Sequence, residues 1–232
     1  MTQPSDARKV TLRAVPFRAV LFDLGGVVLD SPLHAIARFE RDQGIPAGFV
    51  NRVVADTGPA GAWGRLERGL LDLEAFVPAF EADCAAAGRA LSARALMERI
   101  AETAQPRAPM LAAIRRIRAR GLLAAALTNN WSSAERDDGT RALRGHFDAF
   151  FESSVLGLQK PDPRIYEHAC AALGVRPAEA VFLDDIGRNL KAARALGMTT
   201  IRVVEPSKAL TELEGVLGFR LQGNPRGEST GD

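Results

Sequence analysis

The sequence predicts an α/β fold in which a parallel, doubly wound sheet carries an all-helical insertion after its first strand. Short apolar runs alternate along the chain with longer segments of helical periodicity, which is the pattern of buried parallel strands between amphipathic helices. About a hundred residues separate the first two runs, and they show helical periods without the alternation typical of strands. Right-handed crossovers in such a sheet place helices on both of its faces.

The first strand is predicted near residues 18–23, where the apolar run ends on Asp23 and breaks into Leu24-Gly25-Gly26. A glycine permits a tight turn out of a strand, and we assign that turn to Gly26. The carboxylate of Asp23 is therefore expected at the carboxyl end of a buried strand.

The insertion follows at once and divides the chain into two predicted units. Residues 31–104 are expected to form a helical cap, and residues 1–30 and 105–232 a core. Residues 1–16 and 222–232 are polar and rich in small or turn-forming residues, so we expect them to be loose.

Two helices of the cap have recognisable starts. Asp72 can cap one helix and Ser92 the next, and Pro78 should kink the first of them. The positions expected to face inward are Leu73, Phe76, Phe80, Leu96 and Ile100.

The remaining core elements alternate regularly. Strands are predicted near residues 122–127, 149–151, 180–183 and 199–203. Helices are predicted near residues 108–120, 131–143, 163–173, 187–196 and 207–217. Asp162 suits the N-cap of the third of these helices and Pro163 its first turn.

Composition excludes several classes of protein. The 232 residues are 47% hydrophobic and 25% charged with a net charge of +2, and no apolar run approaches the roughly 18 residues of a membrane span. The first ten residues lack the apolar core of a secretory signal, so a cytoplasmic protein is expected.

Cys84 and Cys170 are expected to be buried free thiols. The arginines of "IRRIRARG" (114–121) have helical spacing without interleaved aromatic residues, so nucleic acid is not an expected partner.

Polar residues gather where the predicted strands end. In an open parallel sheet, ligands bind outside these carboxyl ends. The residues concerned are Asp23, Thr128, Asn129, Lys160, Asp184 and Asp185. Each of them alone is more often a cap, a turn residue or a solvated side chain, but adjacent acids after a buried strand repel each other unless a cation lies between them.

Together these residues suit phosphoryl transfer. Asp23 could attack phosphorus, Thr128 could bind phosphoryl oxygens, and Lys160 could neutralise developing charge. The pair Asp184 and Asp185 would hold a hard cation, and Mg²⁺ is the expected ion.

The chain also resembles the haloacid dehalogenase (HAD) superfamily, whose four motifs it shows in order over about residues 17–218. The strings "FFESSVLGLQKPDPRIY" and "VFLDDIGRNLKAARALGMTTI" are similar to the phosphatase domains of mammalian soluble epoxide hydrolases and to HAD-like domains fused to some acyl-CoA dehydrogenases. The resemblance implies a Rossmann-like core with a helical cap and Mg²⁺-dependent hydrolysis of a small phosphate monoester.

The resemblance also implies a role for each matching residue. Asp23 matches the nucleophile and metal ligand, Thr128 the phosphate-binding hydroxyl, and Lys160 the charge-neutralising lysine. The acids of the metal site match Asp185 with Asp184 beside it, and the sequence does not predict which of them contacts the metal. Asn129 is expected to help bind the phosphoryl group and Asn189 to brace the acidic loop.

One position departs from the family pattern. Phosphatases of this family usually carry a second Asp two residues after the nucleophile, which protonates the leaving group and then activates water, and here that residue is Gly25. A backbone carbonyl supplies the usual metal contact at this position, so Gly25 can still be a metal ligand. Loss of a positioned acid or base costs roughly 10²–10⁴ in rate. We therefore expect a slow phosphatase, one limited to good leaving groups, or one that takes a proton donor from the cap or the substrate. His34 is the histidine nearest to Gly25 in sequence and could replace the missing acid or base. A histidine on a helix is, however, usually a surface or packing residue.

Three other functions stay open at this point. A 2-haloacid dehalogenase also lacks the second Asp but has no need of the acidic pair. A catalytically degenerate module that binds a phosphorylated ligand or a protein would explain Gly25 but not the retained nucleophile. Dinucleotide binding at Gly25-Gly26 is disfavoured because the G-x-G-x-x-G pattern is absent.

Substrate contacts are expected from the cap. In the stretch 57–69, Trp63, Arg65 and Arg68 are the candidate specificity residues, although Trp63 could instead pack the cap while the arginines are solvated. The sequence predicts neither a particular phosphorylated metabolite nor an oligomeric state.

Overall fold

A five-stranded parallel sheet forms the centre of the protein. The structure, a computed structural model, describes residues 17–131 and 140–222. The strands are β1 (Ala19–Phe22), β2 (Leu123–Thr128), β3 (Ala149–Glu152), β4 (Ala180–Asp184) and β5 (Thr199–Arg202). Their order across the sheet is β3-β2-β1-β4-β5, and every neighbouring pair is parallel. The predicted α/β fold is confirmed, and each predicted strand lies within about two residues of its place.

Helices cover both faces of the sheet. They are α6 (Ala108–Ala119), α7 (Thr140–Arg144), α8 (Ser153–Leu156), α9 (Pro163–Leu173), α10 (Gly187–Ala195) and α11 (Pro206–Leu217). One apolar cluster joins α6 and α11 to one face, and a second joins α9 and α10 to the other. Successive residues of β1 alternate between these two clusters, as the period of a strand requires. The helix predicted over residues 131–143 falls mostly on residues 132–139, outside the described ranges, as do most of the predicted loose tails.

Five helices lie between β1 and α6. They are α1 (Pro32–Asp42), α2 (Phe49–Thr57), α3 (Ala62–Glu67), α4 (Leu73–Ala86) and α5 (Ala93–Thr103), with a short 3₁₀ turn at Gly58–Ala60. They share an apolar cluster of their own, which includes Phe76, Phe80, Leu96 and Ile100. The division of the chain at residues 31–104 remains a prediction.

Two of the five helices begin as predicted. Asp72 accepts a hydrogen bond from the backbone N–H of Ala75, and Ser92 accepts one from that of Ala95. Helix α4 continues on both sides of Pro78, and the kink expected at this residue remains a prediction.

Two others are capped by residues distant in sequence. The carboxylate of Glu40 accepts the N–H groups of Gly48 and Val50 at the start of α2, at 2.7 and 2.8 Å. Asp83 accepts the N–H of Ala62 at the start of α3, at 2.9 Å. These helix ends are satisfied by tertiary contacts and carry no local capping signal.

The helical segment leaves and rejoins the sheet at one place. The N–H of Asp30 donates to the carbonyl of Gln105, and the N–H of Arg107 donates to that of Val28. The guanidinium of Arg107 also donates to the carbonyl of Gly26, at 2.6 Å. The chain entering α1 is therefore fastened to the chain leaving α5, beside the end of β1.

Within residues 17–131 and 140–222, no helix has both the length and the apolar character needed to cross a membrane.

Candidate active site

The polar residues predicted to gather do so at the carboxyl edge of the sheet. Asp23 follows β1, Thr128 ends β2 and Asp184 ends β4. Because β1 is paired with β2 on one side and β4 on the other, these three side chains come from adjacent strands. Lys160, from the loop between α8 and α9, reaches the same place.

Asp23 is buried at the end of the central strand, and only 7% of its surface is exposed. Its Oδ1 accepts the N–H of Leu24 at 2.7 Å and lies 2.9 Å from Nζ of Lys160. Burial raises the pKa of Asp23 to about 7; Lys160 counteracts this rise and Asp184 adds to it. The carboxylate is thus held at a fixed place and is costly to ionise there without a further positive charge.

Lys160 joins the two carboxylates. Its Nζ is 2.9 Å from Oδ1 of Asp23 and 2.7 Å from Oδ2 of Asp184, and the side chain is 1% exposed. Burial by itself lowers the pKa of a lysine, but the two carboxylates outweigh burial and the pKa of Lys160 is raised. Lys160 is therefore an ammonium that links the ends of β1 and β4.

Asp184 is fully enclosed by hydrogen bonds. Its Oδ1 accepts the N–H of Ile186 at 2.7 Å, Oδ2 accepts Lys160, and Nδ2 of Asn189 lies 3.2 and 3.1 Å from the two oxygens. The hydroxyl of Tyr166 donates to the carbonyl of Asn189 at 3.0 Å and so supports this brace. Asn189 contacts the acidic loop as the resemblance implied.

Asp185 is more open, with its carboxyl group facing the turn after β1. The hydroxyl of Ser31 donates to Oδ2 over a long 3.4 Å. Burial and the neighbouring Asp184 raise the pKa of Asp185.

Gly26 allows Asp185 to occupy this position. Its φ of +80° is one that residues other than glycine rarely adopt, which fits the predicted tight turn. A Cβ atom at residue 26 would lie 2.2 Å from Oδ2 of Asp185. The glycine thus serves the turn and also makes room for the acid, and this second role was not predicted.

Three carboxylates can share one ion at this edge. One carboxylate oxygen from each of Asp23, Asp184 and Asp185 lies within 4.8 Å of the others. With all three acids ionised and Lys160 protonated, these four side chains carry a net negative charge. Oxygen donors of this kind suit Mg²⁺, so the residues present fit the cation that the sequence suggested.

Thr128 and Asn129 adjoin this cluster. The Thr128 side chain is 3% exposed, and its hydroxyl lies 3.4 Å from the carbonyl oxygen of Asn129, a long hydrogen bond. The Asn129 amide brackets the backbone of Lys160: Oδ1 accepts its N–H at 2.8 Å, and Nδ2 donates to its carbonyl at 3.0 Å. Asn129 therefore positions Lys160, whose peptide bond to Pro161 is cis.

Gly25 lies beside the start of α1. A Cβ atom built on it would lie 3.1 Å from Cδ of Pro32, the first residue of α1. An acidic side chain at residue 25 would therefore need Pro32 to move by a few tenths of an ångström.

The three predicted specificity residues lie in different surroundings. Trp63 is 8% exposed and packs edge-on against Phe76, Phe80 and Trp131. Arg68 donates to the carbonyls of Gly64 and Pro59, and Arg65 is exposed. Their role in specificity remains a prediction.

Glu67, which is one helical turn after Trp63, was not predicted from the sequence as a site residue. Its Oε1 accepts Nε1–H of Trp63 at 3.1 Å, and its Oε2 accepts Nδ2–H of Asn129 at 3.3 Å. The i, i+4 spacing from a buried tryptophan was the available signal, because residues four apart share a helix face. This carboxyl group, unlike Arg65 and Arg68, contacts a residue at the edge of the sheet.

Comparison with known proteins is consistent with the geometry. A family model described as haloacid dehalogenase-like hydrolase matches residues 17–197. Acyl-CoA dehydrogenase family member 10 of Mus musculus is 36% identical over 208 residues, which cover 88% of this chain and 20% of that protein. Bifunctional epoxide hydrolase 2 of Sus scrofa is 36% identical over 222 residues, which cover 90% of this chain and 40% of that protein. The chain therefore spans between a fifth and two fifths of the length of these two relatives.

A relative of similar length is the sesquiterpene phosphatase astK of Aspergillus oryzae, which is 24% identical over 87% of this chain and 97% of its own. Among solved structures, a HAD family enzyme of Bacteroides thetaiotaomicron in complex with magnesium and inorganic phosphate has a TM-score of 0.57 at 19% identity, over 80% of this chain and 93% of its own. A dehalogenase has a TM-score of 0.59 at 22% identity, over 87% of this chain and 97% of its own. These two structures share the fold.

Proposed function

The chain belongs to the haloacid dehalogenase-like hydrolases, and we propose that it is a Mg²⁺-dependent phosphatase of small phosphate monoesters that acts through an aspartyl phosphate on Asp23. The observation that carries this proposal is the buried link from Asp23 through Lys160 to Asp184, with Asp185 beside it. Such a cluster combines a nucleophile, a neutralising ammonium and oxygen ligands for a cation.

Asp23, the carbonyl of Gly25 and Asp185 are the ligands that we propose for Mg²⁺. Asp184 would hold Lys160 and Asn189 in place rather than bind Mg²⁺ directly. Its two carboxylate oxygens already accept hydrogen bonds from Ile186, Lys160 and Asn189. Mg²⁺, when bound, neutralises the repulsion between the carboxylate nucleophile and an anionic phosphoryl group.

The protein's own groups perform the displacement. One oxygen of Asp23 attacks phosphorus while the bond to the leaving oxygen breaks, and the hydroxyl of Thr128 and the ammonium of Lys160 stabilise the phosphoryl oxygens. Water then attacks the phosphorus of the aspartyl phosphate, which frees inorganic phosphate and restores Asp23. Asn129 keeps Lys160 in register through its two backbone hydrogen bonds.

Relatives support a phosphorylated small molecule as substrate. The Aspergillus protein is named for phosphatase activity, and the Bacteroides enzyme was solved with magnesium and phosphate. The segment 31–104 would act as the cap over the site and supply specificity, with Trp63, Arg65 and Arg68 as its predicted contacts. Cys84 and Cys170, which are buried and unpaired, fit a reducing compartment such as the cytoplasm.

A dehalogenase is the second candidate. The likeness to a dehalogenase structure and the glycine at residue 25 both favour it. The acidic pair at the end of β4 favours the phosphatase, since displacement of halide from carbon needs no cation.

Hydrolysis of 4-nitrophenyl phosphate with Mg²⁺ and with EDTA tests the proposal. We expect turnover with Mg²⁺, its loss in EDTA, and its loss in Asp23→Asn. Asp56→Asn removes an exposed carboxylate from α2 and is the matched control. Turnover that survives Asp23→Asn contradicts the proposal. Halide release from a 2-haloacid in EDTA would favour the dehalogenase, and tight phosphate binding without turnover would favour a binding module.

A further inference from the structure

Residue 25 leaves one step of the proposed reaction without a protein group. When the P–O bond to the leaving oxygen breaks, that oxygen carries negative charge and needs a proton. Gly25 has no side-chain proton to give. A proton donor must therefore come from elsewhere, and a positioned one is worth roughly 10²–10⁴ in rate.

The side of the site where the donor is needed follows from the geometry of displacement. The attacking oxygen of Asp23 and the leaving oxygen lie roughly in line on opposite sides of phosphorus. Asp23 is at the carboxyl edge of the sheet, so the leaving oxygen faces away from the sheet, and α3 approaches this edge through the hydrogen bond between Glu67 and Asn129.

Glu67 is on that side. In the part of the chain that the structure describes, it is the carboxylate of α1–α5 that hydrogen-bonds to the loop after β2, through Nδ2 of Asn129. Asn129 holds the backbone of Lys160, whose Nζ is 2.9 Å from Asp23. Glu67 is therefore connected to the nucleophile Asp23 through the contacts of two intervening residues, Asn129 and Lys160.

Close packing holds Glu67 in place. Trp63 donates to one of its oxygens and stacks edge-on against Trp131, two residues after Asn129. Gly69 comes so close to α8 that a Cβ atom on it would lie 2.3 Å from the carbonyl oxygen of Ser154. Residues on both sides of Glu67 therefore pack against the segments that follow β2 and β3.

The environment favours a proton on this carboxyl group. Burial raises the pKa of Glu67, and the hydrogen bond from Trp63, the charges of Lys160 and Arg188, and the hydrogen bond from Asn129 offset only part of the rise. A glutamic acid that keeps its proton nearer to neutral pH is the form that a leaving oxygen requires.

We infer that Glu67 is the proton donor and acceptor of the phosphatase reaction, in place of the group missing at Gly25; this inference rests on the proposed function. Asp23 forms its bond to phosphorus, the bond to the leaving oxygen breaks, and the carboxylic acid of Glu67 gives its proton to that oxygen to form the alcohol. The carboxylate of Glu67 then takes a proton from water as the water oxygen bonds to phosphorus. The bond to Asp23 breaks, phosphate leaves, and both side chains return to their starting states.

A pair of substrates with different leaving groups isolates this step. Phenyl phosphate releases a basic phenolate that needs a proton, whereas 4-nitrophenyl phosphate releases a weakly basic anion. For Glu67→Gln with Mg²⁺, we expect kcat/KM to fall about 10²-fold or more on phenyl phosphate and less than about 10-fold on 4-nitrophenyl phosphate. Glu98→Gln, which removes an exposed carboxylate of α5, and His34→Asn, which removes the exposed histidine of α1, should leave both values unchanged.

The pH dependence of the wild-type protein is a second measurement that needs no variant. The ratio of kcat/KM for phenyl phosphate to that for 4-nitrophenyl phosphate cancels the titration of Asp23 and Lys160. We expect this ratio to fall as pH rises and Glu67 loses its proton, at a pKa that burial raises and that the hydrogen bond from Trp63 and the charges of Lys160 and Arg188 lower in part.

Three outcomes would overturn the inference. They are an equal loss on the two esters in Glu67→Gln, a leaving-group-dependent loss in His34→Asn instead, and a wild-type ratio that is constant with pH. If the wild-type protein hydrolyses neither ester with Mg²⁺, the proposed phosphatase function fails and this inference fails with it. An active wild type with an equal loss on both esters overturns the inference alone.

Discussion

A Cβ atom on Gly26 would lie 2.2 Å from Oδ2 of Asp185, so these two residues cannot both keep their places if residue 26 has a side chain. The end of β1 thereby determines where an acid from the end of β4 can lie. The metal site proposed here depends on that glycine as much as on the carboxylates.

Gly26→Ala should therefore weaken Mg²⁺ binding by about tenfold or more, because Asp185 must move. Isothermal titration of Mg²⁺ measures the effect. Gly121→Ala is a matched control, since Gly121 has nearly the same φ, +81°, with no atom within 4 Å of its added Cβ. Both variants should lose about 1 kcal/mol of stability to backbone strain, and equal Mg²⁺ affinities would contradict the role assigned to Gly26.

Asp23→Asn should stabilise the metal-free protein while abolishing turnover. The folded pKa of Asp23 is about 7 and its ordinary value is 3.8, so the folded protein binds more protons in that window and loses stability as pH rises through it. Asn cannot ionise, so its advantage vanishes near pH 4 and is largest above pH 7, on the order of 2–4 kcal/mol.

Urea unfolding in EDTA at several pH values measures this gain. Asp56→Asn, on the exposed side of α2, should show no such dependence. A variant as stable as the wild type at pH 8 would mean that Asp23 is not destabilised by its surroundings.

Lys160→Met should lower stability by about 3–5 kcal/mol, since it leaves Asp23 and Asp184 facing each other without the charge between them. Acidification protonates Asp23, whose pKa is about 7 in the folded protein, so the deficit should shrink as pH falls. Lys191→Met removes an exposed lysine of α10 and serves as the control in the same unfolding measurement. A deficit that is constant with pH would point to lost packing rather than unpaired charge.

Gly25→Asp should restore hydrolysis of phenyl phosphate to Glu67→Gln, if the two positions can serve the same step. Because Cβ of residue 25 approaches Pro32 to 3.1 Å, the substitution is best made together with Pro32→Ala. We expect kcat/KM of the triple variant to exceed that of Glu67→Gln with Pro32→Ala alone by about tenfold or more. No gain would show that residue 25 cannot reach the leaving group in this protein.

Features that depend on residues close together in sequence, such as strands and helix starts, could be predicted. The apolar runs predicted the strands, and the ends of β1, β2 and β4 predicted the meeting of Asp23, Thr128 and Asp184, because parallel strands share an edge. Asp72 and Ser92 predicted helix starts that the structure confirms.

Contacts between distant segments could not be predicted in this way. Helices α2 and α3 begin without a local cap because Glu40 and Asp83 cap them from other helices. The position of Glu67 depends on α3 lying against α8, which no pattern within α3 encodes. Asn129 likewise binds the backbone of Lys160, a contact that only the folded loop creates.

The order of the strands also affects how the chain can fold during its synthesis. β1 is the central strand, and its partners begin at Leu123 and Ala180, so its apolar residues emerge long before either edge can be covered. Unpaired apolar strands invite aggregation. The helices α1–α5 emerge next and can bury their own cluster, and pairing of Leu29 with Pro106 then closes the long loop. The helical segment that we propose as the cap should thereby bring the first strand to its partner in the nascent chain.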